Sequence, residues 1–141
     1  MVFDLHGADR LAAWKQFRDN LEKSKNPFQE VVDLWSRAPF VSNYLDPNKP
    51  NEWPDPWHLI LDLRLDDLAI ALGMLYTITL TQRFMKTNCE IHMSMLPNKN
   101  EPIFALAVNN KYVLNLEYKK VVDITELQKY KTNIIWTIPR L

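Results

Sequence analysis

A single cysteine, Cys89, stands among 141 residues, which excludes an internal disulfide and any thiolate zinc site. An excess of charge of one sign is also missing. Lys plus Arg and Asp plus Glu are both 17, so no overall field draws the chain to nucleic acid or to an anionic membrane. The longest apolar stretch, Leu68 to Leu80, is broken by Gly73 and by threonines and is too short and too polar to span a bilayer. The opening Met1 to His6 has neither a basic segment nor an apolar h-region, which points to the cytosol or to a particle assembled there, with no membrane partner. What is present is apolar and aromatic: 47% hydrophobic residues, with five Trp, five Tyr and six Phe, beside 24% charged. That composition is too apolar for a disordered chain and ordinary for a globular one, and the length fits one domain with one core.

Hydrophobic periodicity divides the chain into helices followed by strands. From Asp9 to Lys23, Leu11, Trp14, Phe17 and Leu21 recur every three or four positions, the pattern of an amphipathic helix. Asn26-Pro27 starts a second helix, with Phe28, Val31, Val32 and Trp35 on one face, that must stop near Pro39. The two are expected to form a helical hairpin over residues 1–38. Residues 39–56 hold Pro39, Pro47, Pro50, Pro54 and Pro56 and cannot be a regular element. Phe40, Tyr44, Trp53 and Trp57 make this linker and its end aromatic, so it either covers the core or offers a binding surface. Asp55-Pro56 restarts a helical turn through Leu61, and Asp66-Asp67 caps a central helix that buries Leu68, Ala71, Leu72 and Leu75.

After the central helix the period changes to two. Cys89, Ile91, Met93 and Met95 alternate with Glu90, His92 and Ser94 in a half-buried strand closed by Pro97-Asn98-Lys99-Asn100. Ile103 to Val108 and Lys111 to Leu116 read as a hairpin around Asn109-Asn110. A strand near Val121 to Ile124, a short helix from Thr125-Glu126 and a closing strand Ile134 to Ile138 complete an antiparallel sheet. The fold class is α+β, with the core in residues 57–141.

Several residues invite chemistry. His58 and Asp62 are four apart and can share a helix face, and with His92 they are the basis for an alternative expectation, a metal-dependent hydrolase in which a metal-bound water would attack. Helix-capping aspartates and a surface histidine account for the same letters without a metal. Cys89 and His92 are three apart on a strand and point to opposite faces, so they make no nucleophile and base pair. Lys111, Lys119, Lys120, Lys129 and Lys131, interleaved with Tyr112, Tyr118 and Tyr130, are the basis for a nucleic-acid accessory role, which the net charge does not favour.

One longer pattern carries a resemblance. The run Asp66-Asp67-Leu68-Ala69-Ile70-Ala71-Leu72-Gly73-Met74-Leu75, then Arg83-Phe84, then Glu90-Ile91-His92-Met93, then Tyr112-Val113-Leu114-Asn115 resembles the core of the transglutaminase-like superfamily, related in fold to papain-like proteases. It covers roughly Pro54 to Ile124. In that family a cysteine at the N-terminus of the central helix is the nucleophile, a histidine on the first following strand is its base, and an aspartate on the next orients the imidazole. The helix N-terminus favours the thiolate, which is why the nucleophile sits there. Carried over by position, the nucleophile falls on Leu65, the base on His92 and the orienting acid on Asn115. Leucine cannot attack a carbonyl, whereas asparagine can still orient an imidazole.

The resemblance therefore implies a transglutaminase-like scaffold that has lost its chemistry, with no catalytic residues, no cofactor and no metal. From Phe3-Asp4-Leu5-His6 through Trp53-Pro54-Asp55-Pro56 to Tyr112-Val113-Leu114-Asn115 the chain also resembles small proteins of tailed myophages of marine cyanobacteria, which implies a viral origin. The expectation is a non-enzymatic module in virion assembly or protein binding, located in the host cytoplasm or the virion. Its partner is a phage or host protein, or a second copy on which the aromatic linker packs.

Overall fold

A computed structural model describes residues 1–41, 44–96, 98 and 100–137. Among them, α1 (Gly7–Leu21), α2 (Pro27–Trp35), α3 (Pro56–Asp62) and α4 (Asp67–Thr79) precede β1 (Cys89–Met95), β2 (Ile103–Val108), β3 (Tyr112–Leu114), β4 (Val122–Asp123) and β5 (Lys131–Thr137). The strands form one antiparallel sheet in the order β4-β3-β2-β1-β5, and α4 packs on β1 and β2. The expected α+β order is the observed one. The last strand takes its place beside the first.

The helix starts follow from local chemistry. The Asp55 carboxylate accepts the His58 N–H at 2.8 Å, and Pro56 occupies the first helical position, where its missing N–H costs no hydrogen bond. At the other end of α3, buried Arg10 donates from Nη1 to the carbonyls of Ile60 and Leu61, both at 3.0 Å. These carbonyls have no partner inside the helix, so the guanidinium serves as their cap.

The C-terminal half of α4 is locked by one hydroxyl. Thr77 Oγ1 accepts the indole N–H of Trp14 at 3.1 Å and that of Trp35 at 3.0 Å, and itself donates to the Gly73 carbonyl at 2.7 Å. Both indoles are buried, so each N–H needs this acceptor. Gly73 makes room for the second indole: a Cβ there would lie 2.2 Å from the Trp35 ring. Trp35 thus fixes α2 onto α4, while α1 packs on α3. A groove lined by Ala13 and Phe17 of α1, Leu34 of α2 and Arg37 just beyond it runs between the two helices.

The sheet has two unlike faces. Cys89, Ile91, Phe104, Leu106, Val108 and Leu114 belong to the main core against the helices, whereas Ala105 and Val113 meet Leu127 in a small cluster behind. The turn at Asn109 and Asn110 has φ of 54° and 52°, the left-handed geometry expected of that pair. β3 stops at Leu114 because Asn115 turns away with φ 61°. β5 begins three residues earlier than the apolar run from Ile134, since a register shift opposite Met93 and Ser94 blurs its alternation. Ile138, Pro97 and Lys99 of the expected strand and turn lie outside the described residues.

Candidate functional site

The first turn of α4 is where the sequence places a nucleophile. Leu63 ends α3 with φ 53°, and the chain reaches Leu65 just before the capping residue Asp66. Leu65 is fully buried, and its carbonyl accepts the Val41 N–H at 3.0 Å in a short parallel bridge with the Phe40 segment. The position expected to carry a thiol therefore holds an aliphatic side chain sealed in the core.

Both following carboxylates are occupied by backbone. Asp66 Oδ1 accepts the Ala69 N–H at 2.9 Å, and Oδ2 accepts the N–H groups of Tyr44 and Leu45 at 2.8 and 2.9 Å. One aspartate thus caps the helix and pins the linker to it. Asp67 Oδ2 accepts the Phe104 N–H at 3.0 Å, while Oδ1 accepts from Asn115 Nδ2 at 3.1 Å. Asn115 Nδ2 also donates to the Phe104 carbonyl at 2.8 Å. β3 pairs with β2 only from Leu106 to Val108, so Phe104 has no strand on that side, and these two side chains substitute for one. Burial pushes the Asp67 carboxyl above the usual carboxylate range, although the Phe104 N–H and the Asn115 amide pull the other way.

Beside this network opens a cleft of about 360 Å³, lined by Trp35, Phe40, Asp67, Ile70, Ile103 and Asn115 among others. Phe40 at 65% and Tyr118 at 74% exposure stand at its mouth. The strand residue the cleft contains is Ile103, which can neither accept nor donate a proton. The sequence reads Ile103 as the start of a strand and Tyr118 as part of a lysine and tyrosine stretch; that both line this cleft depends on where β2 begins and where the chain turns after Asn115.

His92 is not in the cleft. It faces Ala105 on β2 and Ile135 on β5, on the side of the sheet away from α4, while its neighbours Cys89 and Ile91 face the helices. The expected grouping of Leu65, His92 and Asn115 is corrected accordingly: Asn115 reaches the first turn of α4, and strand alternation turns His92 to the far face. There its Nε2 lies 3.3 Å from Glu90 Oε1, and Nδ1 is buried without a hydrogen-bond partner among the described residues.

The alternative grouping of His58, Asp62 and His92 does not converge either. His58 is exposed on α3 with Nδ1 2.8 Å from Asp55 Oδ2, and that carboxylate raises the imidazole pKa and has its own lowered in return, chiefly by the His58 backbone N–H. Among the described residues no group of three or more His, Cys, Asp or Glu is placed to hold a metal ion. The lysines are dispersed as well: Lys129 pairs with Glu126 at 2.7 Å, and Lys111 and Lys119 lie over Tyr112 and Tyr118.

Of the four aromatic residues expected to bind, two are held by the core. Trp53 donates from Nε1 to the Asp46 carbonyl at 2.9 Å and meets Trp136 edge to face at 5.2 Å, and Tyr44 lies under the Arg64 guanidinium at 4.7 Å. Phe40 and Trp57 remain exposed, on different parts of the surface: Phe40 lines the cleft, and Trp57 packs against Trp14 on the α1 side. Among the described residues no helix is long and apolar enough to cross a membrane.

No protein-family model and no curated protein sequence matches the chain. Solved structures do. LapG of Legionella pneumophila in a calcium-bound form superposes with a TM-score of 0.72 at 16% identity, covering 96% of this chain and 80% of that one. A second LapG structure gives 0.71 at 17%, covering 98% and 81%, and an EGTA-treated form gives 0.68 at 17%, covering 96% and 81%. At this identity the likeness establishes architecture: the chain has the transglutaminase-like fold, an α+β domain with helices first and a five-stranded antiparallel sheet after them.

Proposed function

We propose that this chain is a non-enzymatic transglutaminase-like scaffold, a pseudoenzyme that binds a protein partner in virion assembly or inside the host cell of a tailed phage. The observation that carries this reading is Leu65. At the head of the central helix, where a thiolate would gain most from the helix dipole, stands a fully buried leucine. The groups around it support the same reading. Asp66, Asp67 and Asn115 are engaged in holding backbone, the cleft presents Ile103, and the histidine of the sheet faces away. A cleft with apolar walls and exposed Phe40 at its rim suits a partner side chain better than a reacting carbonyl.

Two arms test the reading. The purified chain is incubated with peptide substrates and with a glutamine and amine pair, and product formation is compared with buffer. No product is expected, and turnover that Asn115→Ala abolishes while the circular dichroism spectrum is unchanged would contradict the proposal. In the second arm, purified virions and infected-cell lysate are analysed by quantitative proteomics with tagged wild type and tagged Phe40→Ala. A partner held at fixed stoichiometry by the wild type and lost from the folded variant is the expected result.

A further inference from the structure

The two edges of the sheet are protected to very different degrees. The β4 edge is two residues long and leads directly into the 3-10 turn Ile124–Lys129. The β5 edge is seven residues long and pairs with β1 on one side only. Along Lys131 to Thr137 no backbone group forms a hydrogen bond outside the β1 pairing among the described residues. An open row of N–H and C=O groups is a template for another strand, and natural edges are usually blunted by charge, proline or brevity. Here Lys131 is the one charged residue, at the start of the strand, and the rest reads Thr-Asn-Ile-Ile-Trp-Thr.

We propose that β5 is an interaction surface for a second copy of this chain, joining the two sheets across a two-fold axis. Antiparallel partners on one face of a sheet are an even number of residues apart, so a symmetric pairing is centred on a residue. Centred on Ile135, the pairing sets Ile135 against its own copy and Ile134 against Trp136. It uses the regular part of the strand, beyond the register shift at Met93 and Ser94, and leaves Lys131 outside. Ile135 is 50% exposed on the face behind the helices, an apolar side chain that the pairing covers. No charge is set against a like charge, and a chain of formal net charge zero has no long-range repulsion to keep two copies apart. An acidic or basic peptide would find no complementary charge along this edge. The strand fits its own copy better.

The test uses the whole chain in solution. Sedimentation velocity over a concentration series is expected to show a dimer for the wild type and a monomer for Ile135→Lys, with both giving the same circular dichroism spectrum. Ile135→Cys provides a second reading that does not depend on the lysine variant folding. Under mild oxidation it is expected to form a covalent dimer, since directly opposed strand residues are within disulfide reach, whereas Lys15→Cys on α1 and the wild type with buried Cys89 are not. A wild type that stays monomeric at every concentration overturns the proposal. So does a dimer that Ile135→Lys leaves intact, or one whose Ile135→Cys form cross-links no faster than Lys15→Cys.

Discussion

The first turn and the last turns of α4 both bury polar groups, and they use them differently. Near the C-terminal end, a single acceptor, Thr77 Oγ1, serves the indoles of Trp14 and Trp35, and the polar contact locks three helices into one packing arrangement. At the N-terminal end, Asp66, Asp67 and Asn115 spread several hydrogen bonds over the backbone at 44, 45 and 104, tying a linker and a strand edge to the helix. The difference shows two ways in which buried polar groups hold one helix in place: at one end a side chain joins other side chains, and at the other side chains hold backbone.

The comparison can be broken most severely at the packed end. Thr77→Val keeps the shape but removes the acceptor, leaving two buried indole N–H groups without a partner, each costing about 1–3 kcal/mol. Thermal or urea unfolding should show that loss, and Thr77→Ser should recover most of it. Gly73→Ala drives a methyl into the Trp35 ring and is expected to cost about 1–3 kcal/mol by overpacking, with a matching drop in the urea midpoint. At the other end, Asp67→Ala removes the acceptor of one strand-edge N–H while Asn115 still meets the Phe104 carbonyl. A cost of about 1–3 kcal/mol with an intact helical spectrum is the expected outcome.

Acidity sharpens the same contrast. Burial raises the Asp67 carboxyl pKa, so the folded chain holds that proton more tightly than the unfolded chain does. Its contribution to stability is complete below the unfolded carboxyl pKa of about 3.9 and is lost as pH rises through the folded value. Melting curves of wild type and Asp67→Asn should therefore diverge across that window, with the wild type losing ground as pH increases. Parallel curves would show that Asp67 is not held in a desolvated site. The smallest effect is expected for His58→Gln on exposed α3, where the Asp55 carboxylate still caps the helix through the backbone N–H at 58. Its melting temperature should match that of the wild type.

The parts of this fold that were legible in the sequence are those decided by neighbours along the chain. Asp55 and Asp66 cap their helices because an aspartate's oxygen needs only an N–H three residues on, and Asn109-Asn110 turns because asparagine tolerates positive φ. What was not legible depends on distant pairing. The bulged alternation of β5, and its place beside β1, follow from register with residues some forty positions away. The position of His92 was legible in principle, since Cys89 and Ile91 mark the core face and an even-numbered neighbour must face away. The resemblance drew it to the cleft by order along the chain, and strand geometry overrules that order. Asp67 reads as a second capping residue in sequence, whereas its partners at 104 and 115 arise only once β2 and the chain beyond β3 are in place.

The most direct test of the structural role of this first turn is amide hydrogen exchange at Phe104, measured by NMR in wild type and in Asp67→Ala. Slow exchange in the wild type is predicted, with at least a tenfold acceleration in the variant while Leu106 and Val108, inside the β1–β2 pairing, keep their protection. Fast exchange at Phe104 in the wild type, or a rate that Asp67→Ala does not change, would contradict the claim that these side chains hold the sheet edge and would return them to the pool of groups available for chemistry.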